Sequence, residues 1–272
     1  NDVQAYAAKI AEAYLVHTPG SLKTIGRLNM EADLGLAYRK NEAALFELLE
    51  PAVAVEDAFL DAYGFVPNPA PTLGRLEVSP AAKARARRKV PRDPRARAHA
   101  YRTFALAGTP AFLEERDAKA PGVFKGAQSL FLRSTVLTRR EDPKVFPYLL
   151  ASSYYLNVYL GLRQAIAVDS LRYAIDQLRG RGAAAKRTHY LAALLHAASV
   201  TTSATSHFCQ PRGLVRDSEV KAVLTRRSVD LASRTLSFAD EIAETVAATP
   251  RKIGNAARTG DLPQCRARWY RA

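Results

Sequence analysis

The chain has 272 residues, 48% apolar, 24% charged and 8% aromatic, a balance that fits one large or two ordinary folded domains and excludes a mainly disordered or collagen-like polypeptide. Its longest apolar stretches, around Leu149–Leu162 and Leu191–Val200, are broken by Ser, Asn and His and fall short of the roughly 20 residues that span a bilayer. Forty Lys and Arg against 26 Asp and Glu give a net charge of +14, and the charge is unevenly placed: residues 1–80 hold 6 basic and 11 acidic side chains, leaving 34 and 15 for residues 81–272.

The pattern is helical nearly throughout, and the predicted fold is all-α, a multi-helix bundle. Residues 2–16 and about 29–50 carry apolar side chains at helical spacing, among them Leu34, Leu36, Leu45, Leu48 and Leu49. Asp2, Lys9 and Glu12 interrupt any apolar run of the signal-peptide kind, and Asn1 in place of an initiator methionine suggests a processed or trimmed chain. Pro51 is expected to restart the chain as a new helix to about Tyr63. Gly64 to Pro71 reads as a linker, where the charge also changes sign. The expected organisation is an acidic helical region over 1–64, a proline-rich linker over 65–78 and a basic helical domain over 79–272.

Beyond the linker, Ser79-Pro80, Asp93-Pro94 and Thr109-Pro110 each place a capping side chain before a proline at the first helical position, so short helices are predicted at each. After the Ala120-Pro121-Gly122 break, helices are expected at about 124–139, 143–180, 186–207 and 217–248, with Pro143 again following an Asp. No alternating run is long enough to predict a sheet.

The densest basic segment runs from Lys83 to Arg102: Lys83, Arg85, Arg87, Arg88, Lys89, Arg92, Arg95, Arg97 and Arg102 stand against Asp93 alone. Arginine forks pair bidentately with phosphate oxygens, so this segment is read as a phosphate-tracking arm; a solvated linker, or an arm neutralised by the acidic first 80 residues, is the plainer alternative. Residues 168–179 show one apolar stripe, Val168, Leu171, Ile175 and Leu178, beside Asp169, Arg172, Asp176 and Arg179, the pattern of a core helix with an outer face of paired charges. No DDxxD-like cluster is present to make this metal-diphosphate chemistry.

His189, His196, His207 and Cys209 lack the spacing of a metal site, and no metal is expected. Cys209 and Cys265 are too few for a disulfide framework. Six hydroxyls between Ser199 and Ser206 precede His207, Phe208, Cys209, Gln210, Pro211 and Arg212. They suit phosphate and base-edge contacts, or equally a helix end whose hydroxyls bond the preceding turn. Tyr148, Tyr154, Tyr155 and Tyr159 read as an aromatic-rich helix facing the core.

Three successive segments, FPYLLASSYYLNVYLGLRQAIAVDSLRYAIDQL (146–178), HYLAALLHAASVTTSATSHFCQPRGLVRDSEV (189–220) and KAVLTRRSVDLASRTLSFADEIAETVAATPRKIGNAARTGD (221–261), resemble the helical insertion of the D12-type adenine-specific DNA methyltransferases. In that family the insertion holds the target-recognition region. The family's FxGxG-like cofactor loop and DPPY motif are absent from this chain. The resemblance therefore implies a recognition component that carries no catalytic residues or cofactor of its own, with S-adenosylmethionine held only by a partner subunit.

Under this reading DNA is bound through residues 81–272. Lys83, Arg85, Arg87, Arg88, Lys89, Arg92, Arg95 and Arg97 track phosphates; Ser203, Thr205, His207, Gln210 and Arg212 lie near the target; Arg226 and Arg227 add backbone contacts. Residues 1–80 would dock a protein partner, and no transmembrane segment is expected. The expected location is cytoplasmic or nucleoid-associated, or an organelle if the N-terminus is processed. A processed structural subunit of a large nucleic-acid-rich or protein assembly is the alternative.

Overall fold

The computed structural model describes residues 10–14, 25–65, 73, 76–108, 122–131, 133–203, 213–214 and 216–248. Among them the protein is all-α, with no strand; the single β-type pairing is an isolated bridge between Leu156 and Leu160. After helical residues at 10–14, the elements are α1 (Arg27–Ala62), α2 (Pro80–Arg87), α3 (Pro94–Ala107), a 3-10 helix (Gly122–Phe131), α4 (Arg133–Glu141), a π-helical turn (Ala151–Tyr155), α5 (Leu162–Gln177), α6 (Ala183–Thr201), α7 (Asp217–Arg227) and α8 (Leu231–Ala248).

Helix α1 is the spine. Met30, Leu34, Tyr38, Leu45, Leu49, Val53, Phe59 and Leu60 recur at helical spacing and are all buried. They pack most extensively against α5, and also against α2, the 3-10 helix and α8. The expected break at Pro51 does not occur, and α1 runs through it for 36 residues. The proline ring lies on the exposed face, as does Glu47, whose carbonyl loses its partner four residues on, so water reaches the freed oxygen. Burial of Ala52, Val53, Ala54 and Val55 immediately afterwards offsets the loss.

Among the described residues, the expected acidic region packs directly on the expected basic domain. One hydrophobic cluster runs from Ala13 to Val246 and includes α1 throughout. Carboxylates of α1 meet bases from the later helices. Asp57 takes a forked contact from Arg163 (Nη2 at 2.7 Å, Nε at 2.9 Å), and Asp33 accepts from Lys186 at 2.6 Å and from the Tyr190 hydroxyl at 2.8 Å. Most of the expected linker, residues 66–72 and 74–75, lies outside the described residues.

Two of the later helices differ from expectation for one reason: non-local hydrogen bonds decide where the chain turns. The Asp142-Pro143 step opens no helix, and α5 begins at Leu162 instead. Between them Asn41 of α1 exchanges two hydrogen bonds with Tyr148, donating to its carbonyl at 3.0 Å and accepting from its amide at 2.7 Å. Asp169 is not on an outer charged face. It is buried and accepts from the amides of Ala151 and Ser152, both at 2.8 Å, so it holds the π-helical turn against α5. Tyr148 belongs to the core, whereas Tyr155 is exposed and Tyr154 and Tyr159 are half-buried. The expected 217–248 helix divides at residues 228–230 into α7 and α8.

That division places Arg227 inside the molecule, 4% exposed. Its guanidinium donates to the Tyr101 hydroxyl at 2.8 Å, to Asn157 Oδ1 at 2.7 Å and carbonyl at 3.0 Å, and to Glu56 Oε1 at 3.3 Å. Glu56 in turn accepts the Leu162 amide on Oε2 at 2.7 Å. Burial raises the Glu56 carboxyl pKa, and the Arg227 charge opposes that rise. Five segments, α1, α3, the 156–160 turn, α5 and α7, thus meet at one ion pair. Gly161 packs tightly beside it: a Cβ there would sit 3.0 Å from Arg227 Cγ and from both Glu56 oxygens, so the pair would have to shift to admit one. Asn157, in the left-handed region at φ 58°, closes the turn that brings its carbonyl to Arg227.

Truncating one member of this pair leaves the other charge buried and uncompensated, so Arg227→Ala is expected to lower stability by about 3–5 kcal/mol in urea unfolding. The double variant Glu56→Leu, Arg227→Leu should recover part of that loss. Equal destabilisation of single and double variants would contradict the assignment.

Candidate nucleic-acid interface

The basic surface is built by two helix starts. Ser79 caps α2, its hydroxyl accepting from the Ala82 amide at 3.3 Å, while its own amide donates to Glu50 of α1 at 2.8 Å. Asp93 caps α3, accepting from the Ala96 amide at 2.8 Å. Both capped Xaa-Pro starts predicted from sequence are present, and Thr109-Pro110 lies outside the described residues. Helix α2 buries only Ala86, and Val78 anchors the residues before it. Every basic side chain of α2 is therefore exposed.

Lys83, Arg85, Arg87, Arg88, Lys89, Arg92 and Arg95 are all exposed along α2, the following turn and the first turn of α3. Lys83 meets Glu77 at 3.1 Å, a pair open to solvent on both sides. Among the described residues no carboxylate forms an ion pair with the other six. Arg85 and Arg87 also sit in the last turn of α2, where the helix dipole favours positive charge.

Arg97 has a different role. It donates to three backbone carbonyls, those of Ala62 (2.6 Å), Pro91 (3.0 Å) and Arg92 (2.6 Å), and its guanidinium lies 5.5 Å from the Tyr63 ring centre. It ties the end of α1 to the turn before α3. Arg102 is paired with Asp217 at the start of α7, which packs on α3. Arg226 is exposed but donates to the Val200 carbonyl at 2.7 Å, joining α7 to the end of α6. Arg227, buried as described, does not reach the surface and contributes no backbone contact. Lys221, exposed on α7, was not singled out by sequence because it lies outside the dense basic run.

Of the second expected cluster, only Ser203 lies among the described residues. Ser203 is buried, its amide donating to the Tyr159 carbonyl at 2.7 Å, so it faces inward rather than toward a target strand. Thr205, His207, Gln210 and Arg212 lie outside the described residues. The hydroxyls just before them bond the preceding turn, Ser199 to the His196 carbonyl at 2.8 Å and Thr201 to that of Ala197 at 2.9 Å, the helix-end arrangement. His189 is buried with Nδ1 3.0 Å from the Ala185 carbonyl. His196 stacks on Phe238 at 3.7 Å, and burial lowers its pKa. Among the described residues no three His, Cys, Asp or Glu side chains converge as a metal site. No described helix is long and apolar enough to cross a membrane.

The two kinds of arginine are separable by measurement. Arg97→Ala removes charge-assisted contacts to three carbonyls and is expected to cost about 2 kcal/mol in thermal or urea unfolding. Arg95→Ala, which touches none, should stay within about 0.5 kcal/mol. No family model matches this chain, and comparison with the curated proteins and with the solved structures finds no match.

Proposed function

We propose that this chain is a nucleic-acid-binding component, acting on DNA through the surface formed by α2, the turn after it and the start of α3. The observation that carries the reading is the row of seven exposed cations from Lys83 to Arg95, six of them without a carboxylate partner among the described residues. Such a row raises the local concentration of a polyanion and binds it by releasing condensed counterions. Arginine predominates over lysine in it, which favours phosphate oxygens. Arg226 and Lys221 on α7 would extend the contact; Arg97 would hold the surface in shape. The resemblance to the recognition insertion of adenine-N6 DNA methyltransferases supports DNA as the polyanion. It also supports a partner subunit that supplies S-adenosylmethionine and catalysis in a cytoplasmic or nucleoid location.

A second reading, a structural subunit of a larger assembly, is favoured by Leu28 and Leu36, about 80% exposed on α1. Singly exposed leucines are also common on monomers, so this observation weighs less than the row of cations. Binding of a fluorescent duplex as a function of salt separates the two readings. With five to six phosphates engaged, affinity is expected to fall on the order of 10³-fold between about 50 and 200 mM salt. The triple variant Arg85→Glu, Arg87→Glu, Arg88→Glu should abolish binding while lowering the melting temperature only slightly, through the reversed charge at the end of α2. Affinity that is flat in salt, or unaffected by the triple variant, would refute the DNA reading.

A further inference from the structure

A cavity of about 1010 Å³ lies between the π-helical turn, α5 and the end of α6, remote in sequence from the basic arm. Its walls are largely apolar, with Leu150, Leu160, Val168, Leu195 and Ala198 among them. Three tyrosines, Tyr148, Tyr155 and Tyr159, contribute aromatic surface, and the Tyr155 and Tyr159 rings stand edge-on to each other at 6.0 Å. The polar groups divide into an inner and an outer set. Asp169 is buried in the wall, and Lys144 and Arg172 lie at the rim.

The chemistry of these groups is specific. Asp169 accepts one backbone amide on each oxygen, leaving lone pairs on both. Burial pushes its carboxyl up to about 6, so it is ionised at neutral pH and can only accept hydrogen bonds. Asp176, which takes the Tyr148 hydroxyl at 3.2 Å and pairs with Arg172 at 3.2 Å, offsets part of the rim's positive charge. Arg139 also acts on Asp169 electrostatically, from α4. The cavity therefore presents aromatic walls, a buried acceptor for N–H donors, and cations at its mouth.

We propose that this cavity is a nucleotide site: the tyrosines take the faces of the base, Asp169 accepts N–H groups from its edge, and Lys144 with Arg172 meets the phosphate. Guanine, with a ring N–H beside an exocyclic amino group, offers a carboxylate two parallel donors and fits best. A neutral apolar ligand would leave both Asp169 and the rim cations unused; a simple organic cation would meet the tyrosines and Asp169 but leave Lys144 and Arg172 unused. The inference rests on the nucleic-acid reading only for the source of the nucleotide, which is either free in solution or part of a strand. The site shares no residue with the basic arm.

Calorimetric titration of the full chain with 5′-GMP, 5′-IMP and guanosine tests it. GMP should bind saturably. IMP, which lacks the amino group, should bind about tenfold more weakly, and guanosine, lacking phosphate, should also bind more weakly. Ala198→Trp, which fills the cavity from α6, should abolish GMP binding. If that variant unfolds, Tyr155→Ala, altering an exposed ring, should weaken binding instead. The Arg85, Arg87, Arg88 triple variant should bind GMP as the parent does, so loss of duplex binding and loss of the nucleotide site are read independently. A single strand with unpaired guanine that displaces GMP more effectively than a guanine-free strand assigns the strand as the source; equal displacement assigns the free nucleotide. Absence of saturable GMP binding at millimolar concentration, equal affinity for IMP, or GMP binding retained in a folded Ala198→Trp variant overturns the proposal.

Discussion

The contact between Arg227 and Glu56 holds the arrangement together. It is an ion pair sealed from water, and burying two charges is costly unless each is fully hydrogen-bonded. Here Nη1 and Nη2 of the guanidinium are answered by a carboxylate, a phenol and the Asn157 side chain and carbonyl, while the buried Nε has no partner, and the carboxylate also accepts the first amide of α5. Because those partners come from α1, α3, the 156–160 turn and α5, the pair fixes the relative position of segments far apart in sequence. Apolar packing alone would tolerate sliding along the long α1 helix. A directional network with Gly161 pressed against it does not.

From that centre outward, charges are sorted by depth. Three carboxylates of α1 that face the other helices, Asp57, Asp33 and Glu56, are matched by Arg163, Lys186 and Arg227, and bases from the positive half of the chain thereby neutralise acids of the negative half. Six cations of the basic arm have no carboxylate partner among the described residues, and α2, which buries only Ala86, holds its share of them in water. Internal pairing and surface excess follow from the same composition.

Local signals were legible in the sequence and distant ones were not. Ser79-Pro80 and Asp93-Pro94 start helices as read, because a cap and a proline act within one turn. The all-α architecture was equally legible, since helical periodicity persists along most of the chain. Pro51 was misread because its cost is local while the burial that outweighs it belongs to the whole bundle. The change of charge sign near residue 64 suggested a boundary because a running sum of charge carries no information about which acid meets which base. Arg227 and Arg97 look like any other members of basic runs, and only the fold shows that one is internal and the other is spent on backbone carbonyls. Asp169 appears on a charged stripe, yet its partners are amides in a turn that no sequence periodicity announces.

The proline inside α1 also bears on how the helix opens. An imide nitrogen interrupts the ladder of amide hydrogens, so the turns before and after it are coupled less tightly than in an unbroken helix. Fraying that starts near Arg27 meets this seam before it reaches the turn bearing Glu56. Opening of the front of the helix is therefore opposed less by the backbone ladder than by its own side-chain ties, Asp33 to Lys186 and Tyr190 and Asn41 to Tyr148.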